Sequence, residues 1–237
     1  MGSSDFPMTR WSVVVSAREG DARQAKAALS ELCEAYWVPL YAFARRTGKS
    51  AEDAEDLTQA FFARLIEKDL FAKADEERGK LRSFLLGTFK HFLSDEWDKA
   101  RALKRGGGRA LVSIDAAQAE ERLAVEPVDE ESPDRSFERK WALVVLERVM
   151  QSLRKTYEEA GKGEVFEELH PYLAPDSGGA TYRESGERLG LSDNAVRVAV
   201  FRMRQRYGAE LRTQIAETVA SDEEVADEID FLFRAVR

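Results

Sequence analysis

Residues 182–207 constrain this chain more than any other stretch, because their spacing predicts two helices joined by a tight turn. Gly190 ends the first helix, since glycine enters the left-handed backbone conformation at little cost. We expect Leu191 to fill the core at the turn and Ser192 to cap the second helix through its hydroxyl. A short helix, a glycine turn, a capping serine and a basic second helix together predict a helix-turn-helix.

The second of these helices has two distinct faces. One buried stripe follows the spacing i, i+4, i+7, i+11 and consists of Val196, Val200, Met203 and Tyr207. The residues that we predict to face a DNA groove are Ser192, Asn194, Arg197, Val198, Phe201 and Arg202. A surface helical hairpin with a solvated arginine face is the alternative, and this segment alone leaves both open.

Composition points to a helix-rich protein with local charge patches. The chain has 237 residues, of which 43% are hydrophobic and 34% charged, and only 6 are prolines. The net charge is -8, which excludes a protein that binds nucleic acids nonspecifically through overall positive charge. Basic residues nevertheless cluster at 99–109 and 197–212, and acidic ones at 120–134 and 222–230. Such unevenness is typical of a protein that binds DNA through local patches.

Cysteine and histidine usage limits the chemistry of the chain. A single cysteine, Cys33, excludes a disulfide within the chain and favours a reduced, cytoplasmic setting. With one cysteine and two histidines, a structural zinc site lacks ligands, so we predict no metal. We see no signal-peptide pattern and no apolar run of ~18 residues, and therefore predict no membrane span.

The element pattern predicts an all-α fold of two small helical domains joined by a flexible acidic linker. We place the first domain at 1–105, the linker at 106–135 and the helix-turn-helix domain at 136–215. An acidic amphipathic extension follows at 216–237. Its apolar stripe requires burial. We favour packing on the second domain over an arrangement in which it covers the recognition helix.

The helix predicted at 51–65 carries an unusual concentration of acids. Ser50 caps it, with Asp53 three residues on. Acids at a helix start suit the helix dipole and need no partner. The other interpretation is a protein-docking face that combines the acids with Gln59 and an exposed Phe62. Spacing alone does not separate the two.

Basic and aromatic residues alternate through a second long helical block, 78–102. Cations mixed with rings suit single-stranded DNA, because phosphates meet the cations and unstacked bases meet the rings. The plainer interpretation, which we favour for most of the aromatic positions, is that they form core. The apolar residues concerned are Phe84, Leu85, Phe89 and Phe92. Trp97 is the aromatic residue that neither interpretation accommodates easily.

We predict that the protein is not an enzyme and needs no cofactor. The sequence shows no paired nucleophile and base and no metal-ligand spacing. The glycines at 106–108 follow no predicted strand, so they form a linker and not a phosphate-binding loop.

One motif gives these features a common explanation. The run Asp53-Ala54-Glu55-Asp56-Leu57-Thr58-Gln59, followed by Phe61-Phe62, resembles the helix by which extracytoplasmic-function (ECF) sigma factors of bacteria grip the β′ clamp helices of RNA polymerase. The resemblance extends over 11–105 and 137–213. It implies a sigma2-like first domain and a sigma4-like helix-turn-helix domain.

The resemblance also implies roles for individual residues. Those implied to contact core RNA polymerase are Asp53, Asp56, Gln59 and Phe62. Those implied to face promoter DNA in the melting segment are Lys80, Arg82, Lys90, His91, Lys99 and Arg101. The helix-turn-helix would read the upstream promoter element in the major groove. His91 stands where many members of the class have asparagine, and the chain at 165–180 is longer than usual.

Two further interpretations stay open at this point. A conventional helix-turn-helix regulator with a helical effector domain is the alternative function. Regulation would have to come from a partner. Thr58 is a candidate phosphorylation site for a Ser/Thr kinase, since some groups of the class work with such kinases. The simpler view is that Thr58 belongs only to the common Leu-Thr-Gln motif.

Overall fold

A computed structural model describes residues 22–67, 80–103, 131–174, 180–219 and 221–237. Within these ranges every regular element is helical, which confirms the predicted all-α class. The elements are α1 (Ala22–Arg46), α2 (Ala51–Glu67), α3 (Leu81–Leu103), α4 (Pro133–Glu159), α5 (Gly163–Leu169), a 3₁₀ turn (His170–Leu173), α6 (Tyr182–Leu189), α7 (Asp193–Ala216) and α8 (Glu224–Ala235). None of the helices in the described ranges is long and apolar enough to cross a bilayer.

The chain divides into two compact units. The first comprises the described residues up to Val144 together with Ile215–Arg237, and the second is Val145–Gln214. The first 25 residues of the predicted linker, 106–130, lie outside the described residues. Its last part is helical, because α4 already begins at Pro133. Proline suits this first helical position, where its missing N–H costs nothing.

Aromatic side chains build the core of the first unit. The Phe61 ring lies 4.9 Å from that of Phe89 and 5.7 Å from that of Phe92, measured between centroids. Leu85, Phe89 and Phe92 are buried, so the core interpretation of this block is correct for them. Edge-on and tilted aromatic pairs of this kind add to the free energy of burial. The packing joins α2 to α3.

The core of the second unit joins α4, α5 and α7. Its buried members are Leu153, Tyr157, Phe166, Leu169, Val196, Val200 and Met203. Three of the four residues in the apolar stripe predicted for α7 are among them, and Tyr207 packs against them. The core therefore fixes which face of α7 turns outward.

The acidic extension packs only in part as we expected. We favoured burial on the helix-turn-helix domain predicted at 136–215; α8 contacts Trp141 within that range, but it belongs to the first unit, together with α3. Glu228 in α8 is fully buried and pairs with Arg82 in α3, while Phe231 lies beside Trp141 at the start of α4. The predicted apolar stripe of α8 is buried only in part: Val225 and Leu232 are buried, Ile229 is half-buried, and Phe233 is 40% exposed.

Candidate polymerase and DNA interfaces

The start of α2 presents the predicted acidic face. The Asp53 backbone N–H donates to the Ser50 hydroxyl oxygen at 3.0 Å, which confirms the predicted cap. The Asp53 side chain is exposed, and those of Asp56 and Gln59 are half-buried. These three residues follow one another at a spacing of three, so they lie along one side of the helix.

Phe62 does not belong to this exposed face. Its side chain is only 3% exposed and stacks on Trp37 of α1, with ring centroids 6.1 Å apart. The expectation that Phe62 is exposed is therefore wrong. Two consecutive aromatic residues cannot both point to one side of a helix, and here α1 supplies a second apolar surface. A docking face on α2 is thus polar in this conformation.

Thr58 is also buried in α2. Its side chain has no exposed surface, and its hydroxyl donates to the Ala54 carbonyl oxygen at 2.7 Å. This bond to the preceding turn is common for threonine within helices. A kinase could reach the hydroxyl only if α2 opened locally.

Three predicted DNA-facing residues of α3 are exposed. They are Lys90, His91 and Lys99. The Lys90 ammonium binds the Asp134 carboxylate, and the Lys99 ammonium lies 2.7 Å from Glu96 Oε1. Exposed pairs of this kind are weak and are readily exchanged for a phosphate partner. Arg101 lies within α3, but its side chain is outside the described part of the structure.

The other two cations, Lys80 and Arg82, share one carboxylate. The Arg82 Nε lies 2.5 Å from Glu228 Oε1, and the Lys80 Nζ lies 2.6 Å from Glu228 Oε2. Arg82 is buried, whereas Lys80 keeps about a quarter of its side chain exposed. In this conformation Arg82 does not face solvent, although the resemblance implies that it faces DNA.

Trp97 is an exposed aromatic that our predicted DNA-binding set omits. Its side chain is 57% exposed, and the Lys49 ammonium lies 4.8 Å from the ring centroid. A large exposed ring next to exposed cations is a feature of single-strand binding surfaces. The signal in the sequence was its mismatch with the apolar spacing of α3.

The helix-turn-helix has the local geometry that the spacing predicts. Gly190 adopts the left-handed conformation, with φ of 67°, and ends α6. The Ala195 N–H donates to the Ser192 hydroxyl oxygen at 3.2 Å, so Ser192 caps α7. The predicted DNA-facing residues of α7 are all exposed, namely Asn194, Arg197, Val198, Phe201 and Arg202. Phe201, at 60% exposure, is the most exposed large apolar residue described.

The turn itself differs from the prediction in one residue. Leu191 was expected in the core, but its side chain is 41% exposed. Its backbone makes the structural contact instead, because its N–H donates to the Gly186 carbonyl oxygen at 2.8 Å. A Cβ on Gly186 would lie 2.6 Å from the Leu191 carbonyl oxygen. Gly186 is therefore the turn residue that the sequence reasoning missed.

A capping box starts α6. The Glu184 N–H donates to the Thr181 hydroxyl oxygen, and the Thr181 N–H donates to Glu184 Oε2 at 2.7 Å. The hydrogen bond from the Thr181 backbone is the main reason why the pKa of Glu184 lies below its ordinary value. The bond from the Thr181 hydroxyl lowers it further.

The described residues show no arrangement that suggests catalysis. In the ranges listed above, no group of three or more metal-ligating side chains is close enough to hold an ion. Burial, assisted by the charge of Glu34, raises the pKa of Cys33 to about 11. The Cys33 thiol is therefore protonated at neutral pH and is a poor nucleophile.

Comparison with known proteins identifies part of the first unit. Residues 32–103 match the family described as Sigma-70 region 2. The chain carries a sigma factor domain. This region 2 domain covers 72 of the 237 residues and includes α2, α3 and most of α1. No curated protein and no solved structure matches the chain.

A region 2 domain implies a sigma factor, a protein that binds core RNA polymerase and promoter DNA. Sigma factors as a family are not enzymes. The match is consistent with the ECF class and does not specify it. The acidic face of α2 and the cations of α3 both lie within the matched residues.

Proposed function

We propose that this protein is a sigma factor of the ECF class, which directs core RNA polymerase to a set of promoters. The observation that carries the proposal is the region 2 match at 32–103, which covers α2, α3 and most of α1 in the first unit. An exposed helix-turn-helix surface on a separate compact unit supports it. Sigma factors of this class need two promoter contacts, and each unit offers one DNA-facing helix.

We assign polymerase binding to the polar face of α2. Asp53, Asp56 and Gln59 are the accessible residues of the implied contact set, and they present acid and amide groups to a partner. Phe62 would contribute indirectly, by packing α2 against Trp37 of α1. A basic or amide-rich surface, such as the β′ clamp helices, is the partner that this chemistry favours.

We assign the melting of promoter DNA to the cations of α3 and the reading of the upstream element to α7. Lys90, His91 and Lys99 form the accessible part of the first surface. Arg197 and Arg202 suit bidentate contact with guanine, and Phe201 suits apolar contact with a thymine methyl group. The polymerase supplies most of the affinity in such a complex, so these residues need only select the site.

The polymerase contact is tested by reversing the charge of Asp56. Because Asp56 lies in the middle of the proposed face, we expect Asp56→Arg to lower the affinity for core polymerase by about tenfold or more. Run-off transcription on genomic fragments should fall in parallel. Glu52→Arg is the matched control, since it makes the same charge change in the exposed first turn of α2 outside the implied set.

Unchanged polymerase binding by Asp56→Arg would contradict the docking assignment. If the unaltered protein binds DNA but no polymerase, the conventional helix-turn-helix regulator becomes the better interpretation, because it needs only α6 and α7. A Ser/Thr kinase acting on Thr58 stays a prediction, and burial of the hydroxyl argues against it. Intact-mass measurement of the native protein under promoter-active conditions tests it.

A further inference from the structure

The first turn of α3 and the C-terminal helix α8 meet at a buried ionic cluster. Glu228 has no exposed surface, and its two carboxylate oxygens contact Arg82 Nε at 2.5 Å and Lys80 Nζ at 2.6 Å. A second bond joins Arg82 Nη2 to Glu228 Oε2 at 3.2 Å. Two of the six residues that the resemblance implies for DNA are thus held by one anion from the same chain.

Aromatic rings complete the cluster. The Arg82 guanidinium carbon lies 3.8 Å from the ring centroid of Phe231 and 5.2 Å from that of Trp141. Phe231 belongs to α8, so the same helix presents both a carboxylate and a flat ring to Arg82. A single DNA strand presents the same two groups, a phosphate anion and the face of a base.

Stability alone does not explain this arrangement. Desolvation of two charges cancels most of the attraction within a buried ion pair, and apolar residues of similar size serve stability as well or better. The first part of α8 is also strongly acidic, with Glu224, Asp227, Glu228 and Asp230 within two turns. The helix dipole explains the acids of the first turn, Glu224 and Asp227, but it does not explain the burial of Glu228, which follows that turn.

We propose that α8 is an intramolecular mask that imitates a DNA strand and occupies the cationic start of α3. The proposal rests on the proposed function, because it assumes that Lys80 and Arg82 contact promoter DNA. In the masked state Glu228 takes the place of a phosphate and Phe231 the place of a base. In the open state α8 leaves, and the DNA strand takes both positions.

The structure offers a point at which the exchange can begin. A cleft of about 650 Å³ borders Lys80 and is lined on the α8 side by Phe231 and Arg234, among others. Lys80 is the partly exposed member of the cluster. A phosphate can therefore reach the Lys80 ammonium while Arg82 is still covered, and then compete with Glu228 for the two cations.

The test measures how tightly the full-length protein binds a fluorescein-labelled, mixed-sequence single-stranded DNA. Glu228→Gln keeps the size of the side chain and removes its charge, so the mask should loosen. We expect the affinity to rise about fivefold or more. Glu223→Gln is the matched control, because it makes the same carboxylate-to-amide change at an exposed position at the start of α8 that does not line the cleft. Its effect should stay within about twofold.

Two further measurements exclude a nonspecific gain. The double variant Glu228→Gln with Lys80→Ala should lose most of the added affinity, because the exposed cation is gone. Amide hydrogen exchange in α8 of the unaltered protein should accelerate when the same DNA is added to saturation. A helix with a purely structural role would keep its protection.

The proposal is overturned by any of three results. One is an equal effect of Glu228→Gln and Glu223→Gln. Another is DNA binding that leaves exchange in α8 unchanged, and the third is failure of Glu228→Gln to bind DNA at all. Polymerase binding through Asp56 is measured without DNA, so the proposed function can survive the loss of the mask. If polymerase binding fails as well, both fall together.

Discussion

Gly186 shows how much of the helix-turn-helix depends on one absent methyl group. It lies inside α6, where glycine ordinarily weakens a helix by about 0.5–1 kcal/mol relative to alanine. Here the backbone of Leu191 comes so close that a Cβ would lie 2.6 Å from its carbonyl oxygen. Glycine at position 186 therefore lowers the helix propensity of α6, but the tight turn requires it.

Because of this close contact, we expect alanine at position 186 to destabilise the protein, which is the opposite of the usual effect of Gly→Ala within a helix. We expect Gly186→Ala to lower the free energy of unfolding by ~1–3 kcal/mol, because the turn must move to accept the new atom. Gly208→Ala in α7 is the control, since a Cβ there meets nothing within 4 Å. It should raise the stability by about 0.5–1 kcal/mol. Urea unfolding followed by circular dichroism measures both, and equal signs would contradict the explanation.

Residue-level prediction worked where the determinant is local. Gly190 and Ser192 act on backbone groups within a few positions of themselves, so their roles were readable from the sequence. Gly186 was missed because its constraint comes from the other side of the turn. The burial and pairing of Arg82 could not be predicted, since its partner Glu228 follows 146 residues later and no local pattern links them.

At the scale of the element, α6 is short and depends on its first turn. With eight residues it is too short to be stable alone, so the capping box and the core under it carry most of its stability. The two reciprocal bonds between Thr181 and Glu184 satisfy N–H groups that the helix cannot satisfy itself. The charge of Glu184 also favours the positive end of the helix dipole.

This cap predicts a pH dependence with a definite sign. The pKa of Glu184 is lowered in the folded state, mainly by the bond from the Thr181 backbone, from an ordinary value of 4.5. Its contribution is therefore present above pH 4.5 and is lost as the pH falls through the lowered pKa. Glu184→Gln should be less stable than the unaltered protein above pH 4.5, and the difference should shrink below it.

Thermal or urea unfolding at two pH values checks this, and Glu187→Gln provides the control. Glu187 is an exposed acid of the same helix, and it takes no part in the capping box. Removing it should leave the pH response almost unchanged. A pH-independent deficit in Glu184→Gln would mean that the carboxylate charge contributes nothing to the cap.

The positions of the helices were predictable from the sequence, but their buried faces were predictable only in part. The stripe of α7 was correct because one periodicity explains it. Phe61 and Phe62 are adjacent, and periodicity favours only one of them as core. Both are buried, since α1 lies against the side of α2 that the pattern left outside. The packing direction of α8 was equally unreadable, because its apolar stripe specifies burial without naming the surface that buries it.

For the whole molecule, the proposed function separates polymerase binding from promoter choice. The two tasks fall on different compact units, one containing α2 and the other containing the exposed face of α7. Variants at the two surfaces should therefore fail in different assays. This is a stronger expectation than loss of activity alone, which any unfolded protein would show.

Arg202→Ala tests this separation. Loss of a bidentate base contact should weaken promoter binding by the polymerase complex by ~1–3 kcal/mol and leave binding to core polymerase unchanged. Arg212→Ala removes the same charge from an exposed position further along α7 and controls for general attraction to DNA. Promoter binding by footprinting and polymerase binding by pull-down measure the two properties. Equal loss in both assays would contradict the separation.

During synthesis, the contact between Glu228 and Arg82 can form only some time after Arg82 has been made. Synthesis proceeds from the N-terminus at about 5–20 residues per second, so roughly 7 to 30 s separate Arg82 from the partner made 146 residues later. Each newly made region 2 domain therefore exists first without its carboxylate partner, and the rate of translation sets the length of that period.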